Sequence, residues 1–577
     1  MTAEGSGYVR VCTLEEVREG SPRVVHAAGH TIALFRHEGR VRAVDNRCPH
    51  MGFPLSKGSV KDGILTCHWH HARFDLCSGG TFDPFADDVR VYPVRIEGSE
   101  VWVDAGQPSA DPAARHRARL EDGLRHDLRL VIAKAVVGLA AAGAPERAAL
   151  EVAADFGTRY ASGGWGPGLT ILTAMGNILP LLRAEDRPRA LYQGITHVAR
   201  ETAGQPPAFR QEPLATTERR PEVFKRWFRG FVEMRDRDGA ERTLRTAVAV
   251  GLPMPVVADM LFAAATDHRY LDAGHPMDFA SKALELLDLI GWEHAEQVLP
   301  SVVPRLARAQ RAEESSAWRQ PVDLAALLWA AFEELPAAAA RGAAARAPWE
   351  GLAGLVETLL RDDPAASVAA LVAALGEGAA PEALAQAAAC AAARRVAQFH
   401  TANEYGDWDT ALHTFTYANA VHQAMRRAPS LELLRGVFDA AMSVYLDRFL
   451  NTPPAALPRP GGGETSPEAL LELLDRQQQV NEAARWVSGV LDGQEGAARA
   501  MAALGEGLLR EDAGFHTFQA VEAAFRQRAL LGDTEEGRVA LVAAARYLAA
   551  HSPTPRALGQ TYQIALRLHR GEALYEG

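Results

Sequence analysis

Cysteine is scarce, five in 577 residues, and Cys12, Cys77 and Cys390 fall at no spacing that would build a disulfide framework. No disulfide is expected, and a reducing cytoplasm is the expected compartment. Long hydrophobic runs are also missing. The most apolar stretch, Thr246 to Thr266, is interrupted by Gly251, Pro253, Pro255 and Asp259, so a buried helix pair is expected there rather than a membrane span. The opening MTAEGSGYVRVCTLEEV has no basic region followed by an apolar core, so a secretory signal is not expected. The net charge is −11 and no Arg/Lys stripe of the kind that tracks phosphates occurs, which argues against nucleic acid as a partner. Dinucleotide and Walker fingerprints are absent, and Gly461-Gly-Gly463 lacks the Lys-Ser/Thr of a phosphate loop. Reducing equivalents for any redox chemistry would then have to come from another protein.

What the chain does have is Cys48-Pro-His50 and Cys67-His-Trp-His70, with sixteen residues between His50 and Cys67. Two loops, each offering one thiolate and one imidazole, suit a [2Fe–2S] cluster with cysteines on one iron and histidines on the other. Zinc is the competing reading, but zinc fingers usually present a Cys pair before a His pair, whereas the order here is Cys, His, Cys, His. Strand-like residues lead into both loops, Ala43-Val44-Asp45-Asn46-Arg47 and Gly63-Ile64-Leu65-Thr66, so each ligand pair is expected to cap a hairpin. His68 and His71 read as exposed loop histidines outside the ligand set.

The stretch CPHMGFPLSKGSVKDGILTCHWHHARFDLCSGG resembles the Rieske ferredoxin and ring-hydroxylating oxygenase family in its ligands, its glycines, Trp69 and the Phe74-Asp75 pair. The resemblance implies a Rieske-type [2Fe–2S] cofactor held by Cys48, His50, Cys67 and His70. His71 stands where that family most often has glycine, a residue kept for positive φ or close backbone approach. The additional loop cysteines of respiratory Rieske proteins are missing, since Met51 and Gly52 follow His50. The resemblance is therefore to the soluble, ferredoxin-like branch.

Short alternating segments such as Val9-Arg10-Val11, Thr31 to Phe35 and Val101-Trp102-Val103 predict an all-β domain over 8–105, ending in a hairpin that turns at Glu97-Gly98-Ser99. A linker is expected over 106–119. Beyond it, Ala, Leu, Glu and Arg dominate and apolar residues recur at three- and four-residue spacing, which predicts a large all-α array without a fixed repeat. Its expected parts are a helical domain over 120–451, a loop over 452–467 and a C-terminal helical subdomain over 468–577. Breaks are expected at Gly163 to Gly168, Gln205-Pro-Pro207 and Pro336 to Pro348.

The family's usual catalytic iron motif, Asp/Glu-x-x-His with a second His five residues on, does not occur, so a ring-hydroxylating catalytic domain is not expected. Neither does the paired Glu-x-x-His of di-iron bundles. Polar residues gather instead at Tyr192 to Glu201, where His197 and Glu201 lie one turn apart, at Thr266 to Asp278 with His268 and His275, and at His400 to His422 with Glu404, Asp409, His413 and Tyr417. Helix-fixing hydrogen bonds are the ordinary reading of such clusters, and still more so for His294 and His516. The segments GITHVARETAGQPPAFRQEPL and ALHTFTYANAVHQAM resemble the questin-oxidase-like family over a few dozen residues. That resemblance carries over His197, Gln205, Glu212 and His413, with His197 and His413 as catalytic candidates and a small aromatic, polyketide-like substrate.

The expected function is an oxidoreductase: an external reductase reduces the Rieske centre, which passes single electrons to an oxidative reaction in the helical domain. His50 and His70 are expected to face solvent or a partner. The alternatives are a non-enzymatic electron carrier or redox sensor with a helical docking scaffold, and a structural zinc site.

Overall fold

The computed structural model describes residues 7–106, 111–459, 464–572 and 574. The expected fold class holds: an N-terminal β domain precedes a large helical region. Among the described residues its ten strands are β1 (Tyr8–Thr13), β2 (Arg23–Ala27), β3 (His30–His37), β4 (Arg40–Asp45), β5 (Ser59–Lys61), β6 (Ile64–Thr66), β7 (Arg73–Asp75), β8 (Val91–Tyr92), β9 (Val94–Glu97) and β10 (Glu100–Asp104). They form three antiparallel sheets in the orders β1-β10-β9, β2-β3-β4-β8 and β5-β6-β7. Two-residue turns fix the registers. Asp62-Gly63 joins β5 to β6 with φ of 51° and 78°, the conformation that matches strand twist and favours glycine second.

Two apolar clusters form inside the domain. One holds Val25, Ile32, Leu34, Val101 and Val103. The other, built by Phe35, Val44, Leu65, Phe74 and Val89, also encloses Cys48 and Cys67. The small third sheet is thereby pinned beneath the loops that carry both cysteines.

Helix begins earlier than apolar periodicity indicates. The Pro112–Arg125 helix starts inside the expected 106–119 linker because Asp111 caps it, accepting the Ala114 N–H at 2.9 Å, with proline at the first helical position. Residues 107–110 of that linker, and Gly461-Gly-Gly463 of the expected 452–467 loop, lie outside the described residues. Pro336, expected to break a helix, lies inside the Leu324–Ala343 helix on its exposed side. The helix pair expected over 246–266 is present, as parts of two helices, Arg237–Ala249 and Met254–Ala265. No described helix is long and apolar enough to cross a membrane.

The chain divides into two compact units at positions that composition did not mark. The first comprises residues 1–153 and 557–577, so the β domain carries helices of its own: Pro112–Arg125, Arg129–Ala141 and Ala557–His569. Arg47, at the start of the first ligand loop, donates to the carbonyls of Leu568 and Glu572, both at 2.7 Å. The second unit, 154–556, is helical among its described residues and takes in most of the segment expected as a separate C-terminal subdomain. Periodicity identifies a helix, not the body on which its apolar face is buried.

Candidate functional site

The two loops that follow β4 and β6 are built alike. In the first, the Cys48 N–H donates to the Phe53 carbonyl and the Gly52 N–H to the Cys48 carbonyl, each at 2.8 Å. In the second, the Cys67 N–H donates to the Ala72 carbonyl at 2.9 Å and the His71 N–H to the Cys67 carbonyl at 3.0 Å. The fourth residue after each cysteine therefore closes the turn in left-handed backbone, Gly52 at φ 83° and His71 at φ 62°. This explains the glycine preference at position 71, where a side chain costs about 1 kcal/mol.

Each turn wraps its own sulfur. Cys48 Sγ accepts the N–H groups of His50 and Met51, and Cys67 Sγ those of Trp69 and His70. Backbone donors favour thiolate over thiol. The two sulfurs are also hydrogen-bonded to each other, which pulls Cys67 down, while the same bond and burial push Cys48 up. The His50 and His70 ring centroids lie 4.9 Å apart at 82°. His70 is exposed under Trp69, whereas His50 is half-buried against Phe85, so only one imidazole is as open as expected. His68 and His71 are exposed, and His68 bonds Ser59 Oγ at 2.9 Å.

These residues fit a two-iron cluster by two tests. The donor set is two thiols and two imidazoles, with both sulfurs embedded in amide N–H groups. His50 Nδ1 is buried without a hydrogen-bond partner, as an atom meant for metal would be. Burial, with the charges of His70 and Lys134, lowers His50 to about 4, leaving the neutral ring that iron requires.

A further feature of this unit was not legible in sequence. Lys134, on the Arg129–Ala141 helix, donates to the Pro49 carbonyl at 2.6 Å and pairs with Asp87. Burial raises Asp87, but Lys134 and Arg119, the latter at 2.6 Å, outweigh it and hold the carboxylate below its usual range. The helix thus sets a cation beside the His50 loop. Lys134→Met should lower the cluster's reduction potential by roughly 50 mV, since a nearby positive charge favours electron addition. A redox titration followed by EPR measures it, and an unchanged potential would deny Lys134 that influence.

Such an arrangement, a small antiparallel β domain with two Cys/His turns facing each other, defines an iron–sulfur electron carrier. A family model, the Rieske [2Fe–2S] domain, matches residues 7–93. The ferredoxin component of a naphthalene 1,2-dioxygenase system from Pseudomonas aeruginosa is 34% identical over 98 residues, 17% of this chain and 94% of that protein. The ferredoxin component of an alkene monooxygenase system from Xanthobacter autotrophicus is 32% identical over 97 residues, 17% of this chain and 80% of its own. The solved ferredoxin of carbazole 1,9a-dioxygenase from Nocardioides aromaticivorans IC177 aligns at 31% identity over 17% of this chain and 97% of that one, with a TM-score of 0.17. Through its N-terminal domain the chain belongs to the Rieske [2Fe–2S] family. That domain is of the ferredoxin type, and its cofactor is a Rieske-type [2Fe–2S] cluster.

In the helical unit, the three polar clusters of the sequence do not assemble as one site. His268 is held between Glu313 at 2.6 Å and Glu233 at 2.5 Å, an ion triad that raises its pKa. His422 is buried against Gln527 at 3.2 Å. His400 Nδ1 accepts the Ala402 N–H at 3.2 Å. Glu201 turns to the Gly168 N–H at 2.5 Å, at the start of the Pro167–Ile178 helix. Gln205 and Glu212 lie exposed in the irregular stretch before Pro221. His197, on the Arg187–Thr202 helix, packs against Phe518 with ring centroids 5.4 Å apart.

What does converge is His275, His413 and His516, whose ligating nitrogens all lie within 4.8 Å of one another. The sequence marks His516 only as an ordinary lone histidine; the fold brings it to His413, with the two Nε2 atoms 3.0 Å apart. His275 and His516 open the His275–Ile290 and Phe515–Leu531 helices, and His413 sits in the second turn of the Asp407–Arg427 helix. His516 Nδ1 faces Asp409 Oδ2 at 3.4 Å, and Tyr547 donates to the other Asp409 oxygen. The His516 hydrogen bond is the main cause that brings Asp409 down to about 2. It also directs the His516 proton to Nδ1, leaving Nε2 as a lone-pair donor. Burial lowers His275 to about 3 and His413 to about 4, so both rings are neutral at pH 7.

The approach to His275 is strained. Tyr270, Asp272 and Ala273 adopt left-handed backbone with φ of 40°, 41° and 53°, at about 1–2 kcal/mol each. Gly274 follows at φ 93°, where a Cβ would stand 2.7 Å from Tyr417. This segment walls a cavity of about 600 Å³ that His413 also lines.

Proposed function

We propose that the protein is an oxidoreductase in which an external reductase delivers single electrons to the Rieske centre, for use in an oxidative reaction in the helical unit. Cys48 and Cys67 hold one iron, and His50 and His70 the other. The bound cluster supplies one-electron transfer at a potential above that of all-cysteine clusters. Around it, the backbone amides stabilise sulfur charge, Lys134 favours the reduced state, and the exposed His70 edge offers a point of contact for a protein partner. The relatives' description as components of oxygenase systems supports an arriving reductase and an oxygen-dependent use of the electrons.

The observation that carries the oxidative reading is the convergence of three imidazoles, one of which, His413, lines a cavity. Three histidines with open positions hold a catalytic metal, and imidazole suits iron as well as zinc. In this reading His275, His413 and His516 bind one iron, Asp409 orients His516, and the cavity receives a small aromatic substrate. Of the two catalytic candidates from sequence, His413 is a ligand, while His197 lies outside the cluster, packed against Phe518. Purified protein should hold three irons for every two acid-labile sulfides; two irons would leave only the cluster.

A second reading, a carrier with a helical docking scaffold, draws on one fact. The relatives aligned over 17% of this chain are ferredoxin components, and the match spans 94% of the naphthalene-system protein. It requires the histidine cluster to be metal-free, so the same iron count separates the two.

A further inference from the structure

In the cavity that His413 lines stands a carboxyl group that the fold leaves half-satisfied. Asp447 follows the Leu431–Leu446 helix, lines the cavity, and is 5% exposed. One side of it bonds the Thr414 hydroxyl, while Oδ2 is buried with no hydrogen-bond partner. A buried acceptor of that kind is costly, which favours the protonated, hydrogen-bond-donating form of this carboxyl at the cavity wall. Arg395, whose charge acts on it, makes its own hydrogen bonds elsewhere, donating to the carbonyls of Val444 and Leu360, both at 3.0 Å, and to Asn451 Oδ1 at 2.9 Å. Burial pushes Asp447 up to about 7, so near neutrality it is available as a protonated donor.

The surrounding wall defines what it would meet. Tyr270 bonds Thr414 and Ser443, which adds hydroxyls on the same side, and Pro321, Val322 and Leu446 are among the apolar lining. Arg448, the cation in the lining, pairs with Asp362 at 2.5 Å and stacks on Phe449, so no free positive charge awaits an anion. Thr414 is the chain neighbour of His413. A molecule held at Asp447 therefore lies in the cavity that His413 also lines.

We propose that Asp447 anchors the cavity's ligand, an uncharged apolar ring system, by a hydrogen bond to a hydroxyl or carbonyl oxygen on the ring. This rests on the reading of the cavity as the substrate chamber and adds the residue that orients what enters it. Asp447 is thereby a binding and specificity residue for a class of molecule, not a metal ligand.

The test uses the purified full chain and two fluorescent probes, 2-naphthol and naphthalene, which differ by one hydroxyl. Wild type should bind 2-naphthol at least about tenfold tighter than naphthalene, and Asp447→Leu should bring the two within about threefold, as expected for one hydrogen bond to a buried group. Infrared difference spectra add a readout that does not need the leucine variant to fold. Addition of 2-naphthol should shift a carboxylic C=O band in wild type, and that band should be missing in the isosteric Asp447→Asn. Equal binding of both probes by wild type, binding of neither, or a C=O shift that persists in Asp447→Asn would each overturn the proposal. Failure here is separable from failure of the oxidative reading. A two-iron protein that still prefers 2-naphthol loses the metal and keeps Asp447, whereas a three-iron protein indifferent to the hydroxyl loses only Asp447's role.

Discussion

Alanine at both His50 and His70 is expected to abolish the two-iron centre, lowering bound iron by two per chain and erasing the visible bands and the EPR signal of dithionite-reduced protein. The loss should be complete because the imidazoles are the whole first coordination shell of one iron in the proposed ligand set. Neither His68 nor His71 can replace them: both are exposed, and His68 is engaged with Ser59. The cysteine turns should survive the change, since their closing hydrogen bonds are between backbone groups. They would present two buried thiols without metal, and the domain should melt at lower temperature because cluster binding contributes to folding free energy. Wild-type protein that is colourless and carries only zinc would contradict this account at its root.

The two Cys/His turns were legible because everything they need is local. Each supplies a cysteine and a histidine within four residues, and the Asp62-Gly63 turn between them announces its hairpin by residue type. Even the anomaly at His71 was legible: glycine is preferred there for a left-handed turn, and the backbone is left-handed at φ 62°. Lys134 was not, because a lysine on a helix 84 residues beyond His50 carries no mark of the carbonyl it will reach. The histidine cluster of the helical unit was only half legible for the same reason. His275 and His413 stood in polar clusters, but His516 stood alone, and three-residue periodicity says nothing about which helix ends meet. A usable signal existed in position: His275 and His516 both occupy the first turn of a helix, preceded by Gly274 and Gly514. Helix starts at glycine are places where a side chain can be aimed across a junction rather than along a face. By contrast, Gln205 and Glu212 drew attention through resemblance alone, and they lie exposed.

Replacing His413 with alanine should remove one iron per chain and leave the Rieske EPR signal unaltered, the mirror image of the His50 and His70 result. His413 is the choice because it is nearest both partners, with ring centroids 4.9 Å from His275 and 4.6 Å from His516, and its loss leaves two imidazoles that cannot close a three-nitrogen face. Asp409→Asn provides the finer measurement. It keeps a hydrogen-bonding oxygen near Tyr547 and His516 but removes the charge that favours the Nδ1–H tautomer, so metal should still bind, about 10–100-fold more weakly. A purely structural cluster gives the opposite pattern, in which His413→Ala costs stability and leaves the iron count unchanged. Zinc in wild type at this position would preserve the ligand geometry and end the redox role, because zinc cannot accept the electrons that the β domain brings.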